Sequence, residues 1–85
     1  KYENFGIVDY PLSIKGVKVA LKFEEIENNK WKINLRSKKG INVQKFASNY
    51  GGGGHENASA FEKFGTEKQV IEEVISDLKE YLKNS

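Results

Sequence analysis

Hydrophobic and polar positions alternate in two consecutive stretches of the chain. Val17, Val19, Leu21 and Phe23 share one parity and Lys18, Ala20, Lys22 and Glu24 the other, as in a strand with one buried face. Asn28-Asn29-Lys30 supplies residues that accept turn conformations. The alternation then resumes with Trp31, Ile33 and Leu35 against Lys32, Asn34 and Arg36. The two runs therefore predict an antiparallel hairpin in which Arg36 points away from the apolar side. Beyond Gly40 the period changes. Val43, Phe46, Ala47 and Tyr50 recur at helical spacing behind Asn42, a good N-cap, and predict a short amphipathic helix stopped by Gly51-Gly52-Gly53-Gly54. His55 to Ala60 reads as a turn of helix and Phe61 to Phe64 as a short strand. Thr66 with Gln69 makes a capping-box pattern, and Val70, Ile71, Val74, Ile75, Leu78, Tyr81 and Leu82 form the apolar stripe of a helix over 67–83. In residues 1–16, Pro11 and Gly16 bracket a segment expected as one helical turn or plain loop. The order implies an α+β fold, a small mixed sheet with an N-terminal antiparallel hairpin and helices packed on it.

Length narrows this further. A chain of 85 residues, 38% hydrophobic and 31% charged, holds one small core, which excludes a two-domain enzyme. Having no cysteine, it has no disulfide framework, thiolate zinc site or cysteine nucleophile. No apolar run approaches the ~20 residues of a membrane-crossing helix, and no signal-peptide pattern opens the chain. It begins at Lys1 and contains no Met, so it is expected to be a piece of a larger protein.

Charge is unevenly distributed. The net charge is +2, yet residues 1–27 carry −1 and residues 56–85 carry −3. From Asn28 to His55 there is no acid, while Lys30, Lys32, Arg36, Lys38, Lys39 and Lys45 give +6. A cationic centre in a mildly acidic domain suits an anionic ligand held locally; a chance run of charge on a solvated face is the plainer account.

The glycine run followed by His55 is the most informative motif. Four consecutive glycines give up more backbone entropy on folding than any other tetrapeptide. Without Cβ atoms the main chain approaches a bulky partner closely and aims its N–H groups into one concavity, which suits phosphate oxygens. A helical turn starting near His55 would add partial positive charge, and its imidazole would add a donor. A flexible loop and an ordinary surface histidine are the alternatives. One His without Cys lacks zinc-site spacing, and no Ser–His pair or paired carboxylates indicate independent catalysis.

Residues 17–83 resemble the C-terminal, substrate-binding domain of the DHH phosphoesterases. That group includes bacterial nanoRNases and pAp phosphatases, RecJ-type exonucleases and cyclic-dinucleotide phosphodiesterases. The resemblance lies in Asn34-Leu35-Arg36-Ser37, in Gly40-Ile41-Asn42-Val43, and above all in Gly51-Gly52-Gly53-Gly54-His55-Glu56-Asn57-Ala58. Many relatives continue Ala-Ala-Gly where this chain reads Ala58-Ser59-Ala60. In shape the segment is similar to the nanoRNase and pAp phosphatase branch.

The resemblance implies residues 1–16 as a leader and 17–85 as the substrate-binding domain of a hydrolase. Its larger N-terminal domain, holding two manganese ions through Asp and His residues, is absent here; this fragment alone is expected to catalyse nothing and to bind no metal. Arg36 and Ser37 match the family's Arg-Ser pair that grips a substrate phosphate. Gly53, Gly54 and His55 match its glycine-histidine motif beside the phosphate and base. Lys38 and Asn42 are weaker candidates, readable also as a solvated charge and a helix cap. The implied partners are a nucleotide or short single-stranded oligonucleotide and the parent catalytic domain, with no membrane partner, a cytoplasmic location, and homo-oligomer formation left open. The alternatives are an RNA-binding module like that at the C-terminus of alanyl-tRNA synthetases, the substrate domain of a cyclic-dinucleotide phosphodiesterase, and a structural domain whose glycines only permit a tight loop.

Overall fold

The computed structural model describes residues 6–84. Seven elements follow in order: β1 (Ile7–Ile14), β2 (Val17–Glu27), β3 (Lys30–Ser37), α1 (Val43–Ser48), β4 (Gly53–His55), β5 (Ala58–Phe64) and α2 (Glu67–Lys83). The strands form one sheet in the order β1-β2-β3-β5-β4, and every pairing is antiparallel. The fold is α+β with the expected hairpin, but the sheet is antiparallel throughout rather than mixed. Strands joined by short turns pair antiparallel, whereas a parallel pair needs a long crossover.

The β2–β3 hairpin has the register expected from its alternation: Leu21 lies opposite Leu35 and Phe23 opposite Ile33. At its tip Asn29 adopts a positive φ of 59°, and its N–H donates to the Glu25 carboxylate. The buried parity of the sheet meets α1 and α2 in a single core. Trp31, Phe23, Leu35, Val70 and Leu78 are among its fully buried members, each stabilising the fold by roughly 1.5–3 kcal/mol through burial. The indole N–H of Trp31 donates to the Gly65 carbonyl at 3.0 Å, so its polar atom is satisfied. On α1, Phe46 meets Tyr50, Phe61 and Tyr81, and Tyr50 stacks on Phe61 at 4.2 Å. The capping box of α2 is complete, with Thr66 and Gln69 bonded reciprocally.

Two local expectations are corrected. Leu12 to Ile14 is neither a helical turn nor a loop but the end of β1, an edge strand paired with β2 from Ile7 opposite Glu24 to Ile14 opposite Val17. Pro11 is tolerated there because a proline nitrogen on an edge strand can face solvent. The first five residues of the expected leader lie outside the described residues. Likewise, no helical turn begins at His55. Gly53–His55 and Ala58–Phe64 form a hairpin closed at Glu56-Asn57, and β5 starts three residues earlier than the strand expected at Phe61. The segment is held extended by its pairing with β3, a long-range contact that local pattern does not encode.

Candidate functional site: the open face of the sheet

Helices cover one face of the sheet. On the other face, cross-strand partners fall into rows, because directly opposed residues project to the same side. One row runs Pro11, Ala20, Arg36, Ala58, His55. The next runs Asp9, Lys22, Asn34, Ala60, Gly53. Arg36 and His55, separated by eighteen positions of chain, thus stand on the same face with one strand between them, roughly 10 Å apart by strand spacing. Both are exposed.

Neighbouring residues distinguish Arg36 from Lys22, Lys30 and Lys32 on this face. Lys22 opposes Asp9, Lys32 opposes Glu24 on one side and Glu62 on the other, and Lys30 bridges to Glu62 at 3.6 Å. The cross-strand partners of Arg36 are Ala20 and Ala58. No acid therefore lies directly opposite Arg36 on either neighbouring strand, while Asp9 and Glu24 share with it the hollow further along the open face.

The glycines divide by cause. A Cβ on Gly52 would lie 2.2 Å from the Ala60 carbonyl oxygen and 2.5 Å from the Phe61 Cβ. One on Gly54, whose φ is +143°, would lie 2.6 Å from the Ala58 carbonyl oxygen. Gly51 turns the chain out of α1 at φ +80°. Gly53 meets none of these constraints: a Cβ there would have nothing within 4 Å. Among the described residues nothing requires its bareness, which leaves the main chain beside Ala60 uncovered on the open face.

Hydrogen bonds from two turns fix the row. The Asn57 side-chain amide donates to the carbonyl oxygens of Lys38 (2.7 Å) and Ile41 (3.0 Å) and to the Ser37 hydroxyl (3.2 Å). The Ser37 hydroxyl donates in turn to the Ile41 carbonyl at 2.7 Å, and the Ser37 N–H donates to the Asn57 carbonyl. Asn57 thereby ties the chain following Arg36 to the turn following His55. Gln44 on α1 donates to the Gly54 carbonyl at 2.8 Å, and the buried Ser59 hydroxyl donates to the Val43 carbonyl at 2.9 Å.

The structure brings Arg36, Gly53 and His55 together on the open face. Gly54 serves the hairpin geometry. Ser37 belongs to the opposite parity, and both its donors are engaged within the chain. Asn42 is the cap of α1, its Oδ1 accepting from the Lys45 N–H and its carbonyl from the Tyr81 hydroxyl. Lys38 is exposed beside the end of β3. Of the cationic stretch, Lys45 sits on α1, across the sheet from Arg36. Asn57 was not singled out as a site residue by sequence; its place inside the glycine-histidine motif is the signal that pointed to it. On the helix side, burial and the adjoining Asp77 carboxylate, to which it donates, raise the Tyr50 hydroxyl pKa well above the ordinary tyrosine value. Among the described residues no group of three His, Cys, Asp or Glu side chains fits a metal ion, and no helix is long and apolar enough to cross a membrane.

Residues 4–84 match the model of the DHHA1 domain family. The chain is 48% identical over 65 residues to the bifunctional oligoribonuclease and PAP phosphatase NrnA of Mycoplasma genitalium, a match covering 76% of this chain and 20% of that protein. It is also 39% identical over 86 residues to a membrane protein–large ribosomal subunit bL9 fusion protein of Onion yellows phytoplasma, covering 96% of the chain and 10% of that protein. A protein of the same description from Aster yellows witches'-broom phytoplasma is 36% identical over the same span. The chain spans between a tenth and a fifth of the length of these curated relatives. With the antiparallel sheet, its bare glycine edge and the arginine in line with the motif histidine, this match over nearly every residue means that the chain belongs to the DHHA1 domain family.

Proposed function

We propose that the open face binds the phosphate and adjoining nucleoside of a nucleotide or short single-stranded oligonucleotide, as the substrate-binding domain of a DHH-family phosphoesterase of the oligoribonuclease and pAp phosphatase type. The observation that carries this reading is Arg36 standing between two alanines in the row that ends at His55. Arg36 would take the phosphate bidentately. The His55 imidazole would donate to the phosphate or base from the far side, and the bare main chain at Gly53 would let the ligand lie close to the sheet. Ser37 and Asn57 act through Arg36 and His55, by fixing the turns that carry them. The name of the Mycoplasma genitalium relative supports the substrate class.

On this reading metal-activated water would be supplied by a companion domain, and this chain's part is to bind and orient. The test is titration of the chain with 5′-phosphorylated diadenylate, at low and at physiological salt. Affinity should fall as salt rises. Arg36→Ala should lower it about tenfold or more, since hydrogen bonds to charged groups are worth ~1.5–3 kcal/mol, and His55→Ala by less. Unchanged affinity in Arg36→Ala overturns the proposal. Manganese-dependent turnover by the 85-residue chain alone would overturn the division of labour.

A further inference from the structure

Asn34 opens the Asn34-Leu35-Arg36-Ser37 motif, yet neither the fold nor the phosphate contact given above uses it. It lies on β3, the middle strand of the five, where asparagine is disfavoured because its amide packs poorly on a pleated surface and competes with the main chain for hydrogen bonds. The side-chain amides of Asn42, Asn57 and Asn84 are all engaged within the chain. That of Asn34, half-buried between Lys22 and Ala60, holds no hydrogen bond among the described residues and is not sealed from solvent. A donor group and an acceptor thus stand ready on the open face, two residues and roughly 7 Å along β3 from Arg36.

Both side chains line one hollow, about 540 Å³ in volume, on the β2 side of Arg36, with the small Ala20 in its lining. Its other charges are matched, Asp9 lying opposite Lys22 and Glu24 opposite Lys32. The two carboxylates oppose the entry of a second phosphate. A neutral polar group is received differently, because the hollow offers it both donors and acceptors and burying it is favourable only where its polar atoms find partners. A nucleotide has this division, an anion at one end and at the other a flat neutral ring with donors and acceptors along its edge.

We propose that the hollow is a nucleobase subsite, in which Asn34 hydrogen-bonds the edge of the base whose phosphate sits on Arg36. The ring would lie against Ala20, whose methyl lets it approach the sheet, and His55 would meet the phosphate from the other side. A dinucleotide seated this way would straddle Arg36, its second nucleoside over Gly53. This inference rests on the reading of Arg36 given above. The sequence places Asn34 on the polar side of its strand; what marks it out is the lack of a partner on either neighbouring strand, which only the register reveals.

The experiment is an NMR titration of the 85-residue chain with adenosine 5′-monophosphate and with ribose 5-phosphate, which lacks the base. It is run on wild type, Asn34→Val, Asn34→Ala and Arg36→Ala. Wild type should bind the nucleotide more tightly than the sugar phosphate, and the nucleotide should move the Asn34 side-chain amide resonances far more. Asn34→Val and Asn34→Ala should each lower affinity for the nucleotide about three- to tenfold, the scale of one net hydrogen bond, and leave ribose 5-phosphate binding unchanged. Asn34→Val, with the better strand former, should melt at or above the wild-type temperature. Unchanged nucleotide affinity in the two Asn34 variants overturns the subsite, as does an equal loss for both ligands, or a wild type that binds both ligands alike. Arg36→Ala should weaken both ligands. If it binds ribose 5-phosphate as wild type does, the reading of the open face itself fails, and the subsite with it.

Discussion

Replacing the loop glycines by alanine one at a time separates folding from binding. At Gly52 the added methyl would sit 2.2 Å from a backbone oxygen and 2.5 Å from the Phe61 Cβ; both belong to β5, a central part of the sheet, so β4 must move away. Overpacking of this kind costs about 1–3 kcal/mol and occasionally more, and contact with backbone places Gly52→Ala at about 3 kcal/mol. Domains have roughly 0.05–0.15 kcal/mol of stability per residue, so this is a large share of the total. At Gly53 the methyl has nothing within 4 Å and no positive φ opposes it. Gly53→Ala should therefore leave the fold intact and stabilise it by about 0.4–1 kcal/mol, through lost freedom of the unfolded chain. Yet the methyl would project where ligand is expected, and affinity for phosphorylated diadenylate should fall about tenfold, ~1.4 kcal/mol. Urea denaturation followed by the fluorescence of Trp31, the single tryptophan, reports stability, and titration calorimetry reports binding. A Gly53→Ala chain that binds like wild type would refute the role given to the bare main chain. A Gly52→Ala chain of undiminished stability would refute the account of why that glycine is there.

Asn57→Ala removes an amide whose two hydrogens are shared among three oxygens and should cost about 1–3 kcal/mol in chemical denaturation, with weaker ligand binding although Asn57 is given no ligand contact in this reading; Asn57→Ala with full affinity would remove it as a positioning residue. Thr66→Ala breaks the α2 capping box and should lower stability by about 1 kcal/mol without changing affinity in the same titration. Because the folded-state pKa of Tyr50 is raised above its unfolded value, its contribution is complete below the ordinary tyrosine pKa of about 10 and is lost as pH climbs from there through the folded value. Thermal melts between neutral and strongly alkaline pH should fall less steeply for Tyr50→Phe than for wild type, with some descent left from Tyr81, whose pKa burial also raises. Parallel curves would refute this.

What could be read from the sequence was what short-range periodicity encodes. The β2–β3 hairpin, α1 with its Asn42 cap and α2 with its capping box all follow from spacings of two or of three and four residues, and they stand as expected. β1 was missed although Val8, Tyr10, Leu12 and Ile14 alternate, because Pro11 interrupts the run and is acceptable only on an edge, a fact set by the sheet as a whole. The glycine segment read as loop and helix start because its extended form depends on β5, and β5 in turn on β3. For the same reason the motif residues were legible as a set, but their division of roles was not. The sequence does not show that Ser37 turns inward to Ile41 and Asn57, or that Gly53 alone of the four is unconstrained.

Both margins of the described sheet offer a broken or short edge to a further strand. On β1 the missing proline N–H interrupts any row of donors offered outward, and on the other margin β4 is only three residues long, with one of its carbonyls already held by Gln44. A second polypeptide is therefore ill served by zipping onto this domain main chain to main chain. What the domain presents to another body is therefore the side chains of its open face rather than the main chain of its edges.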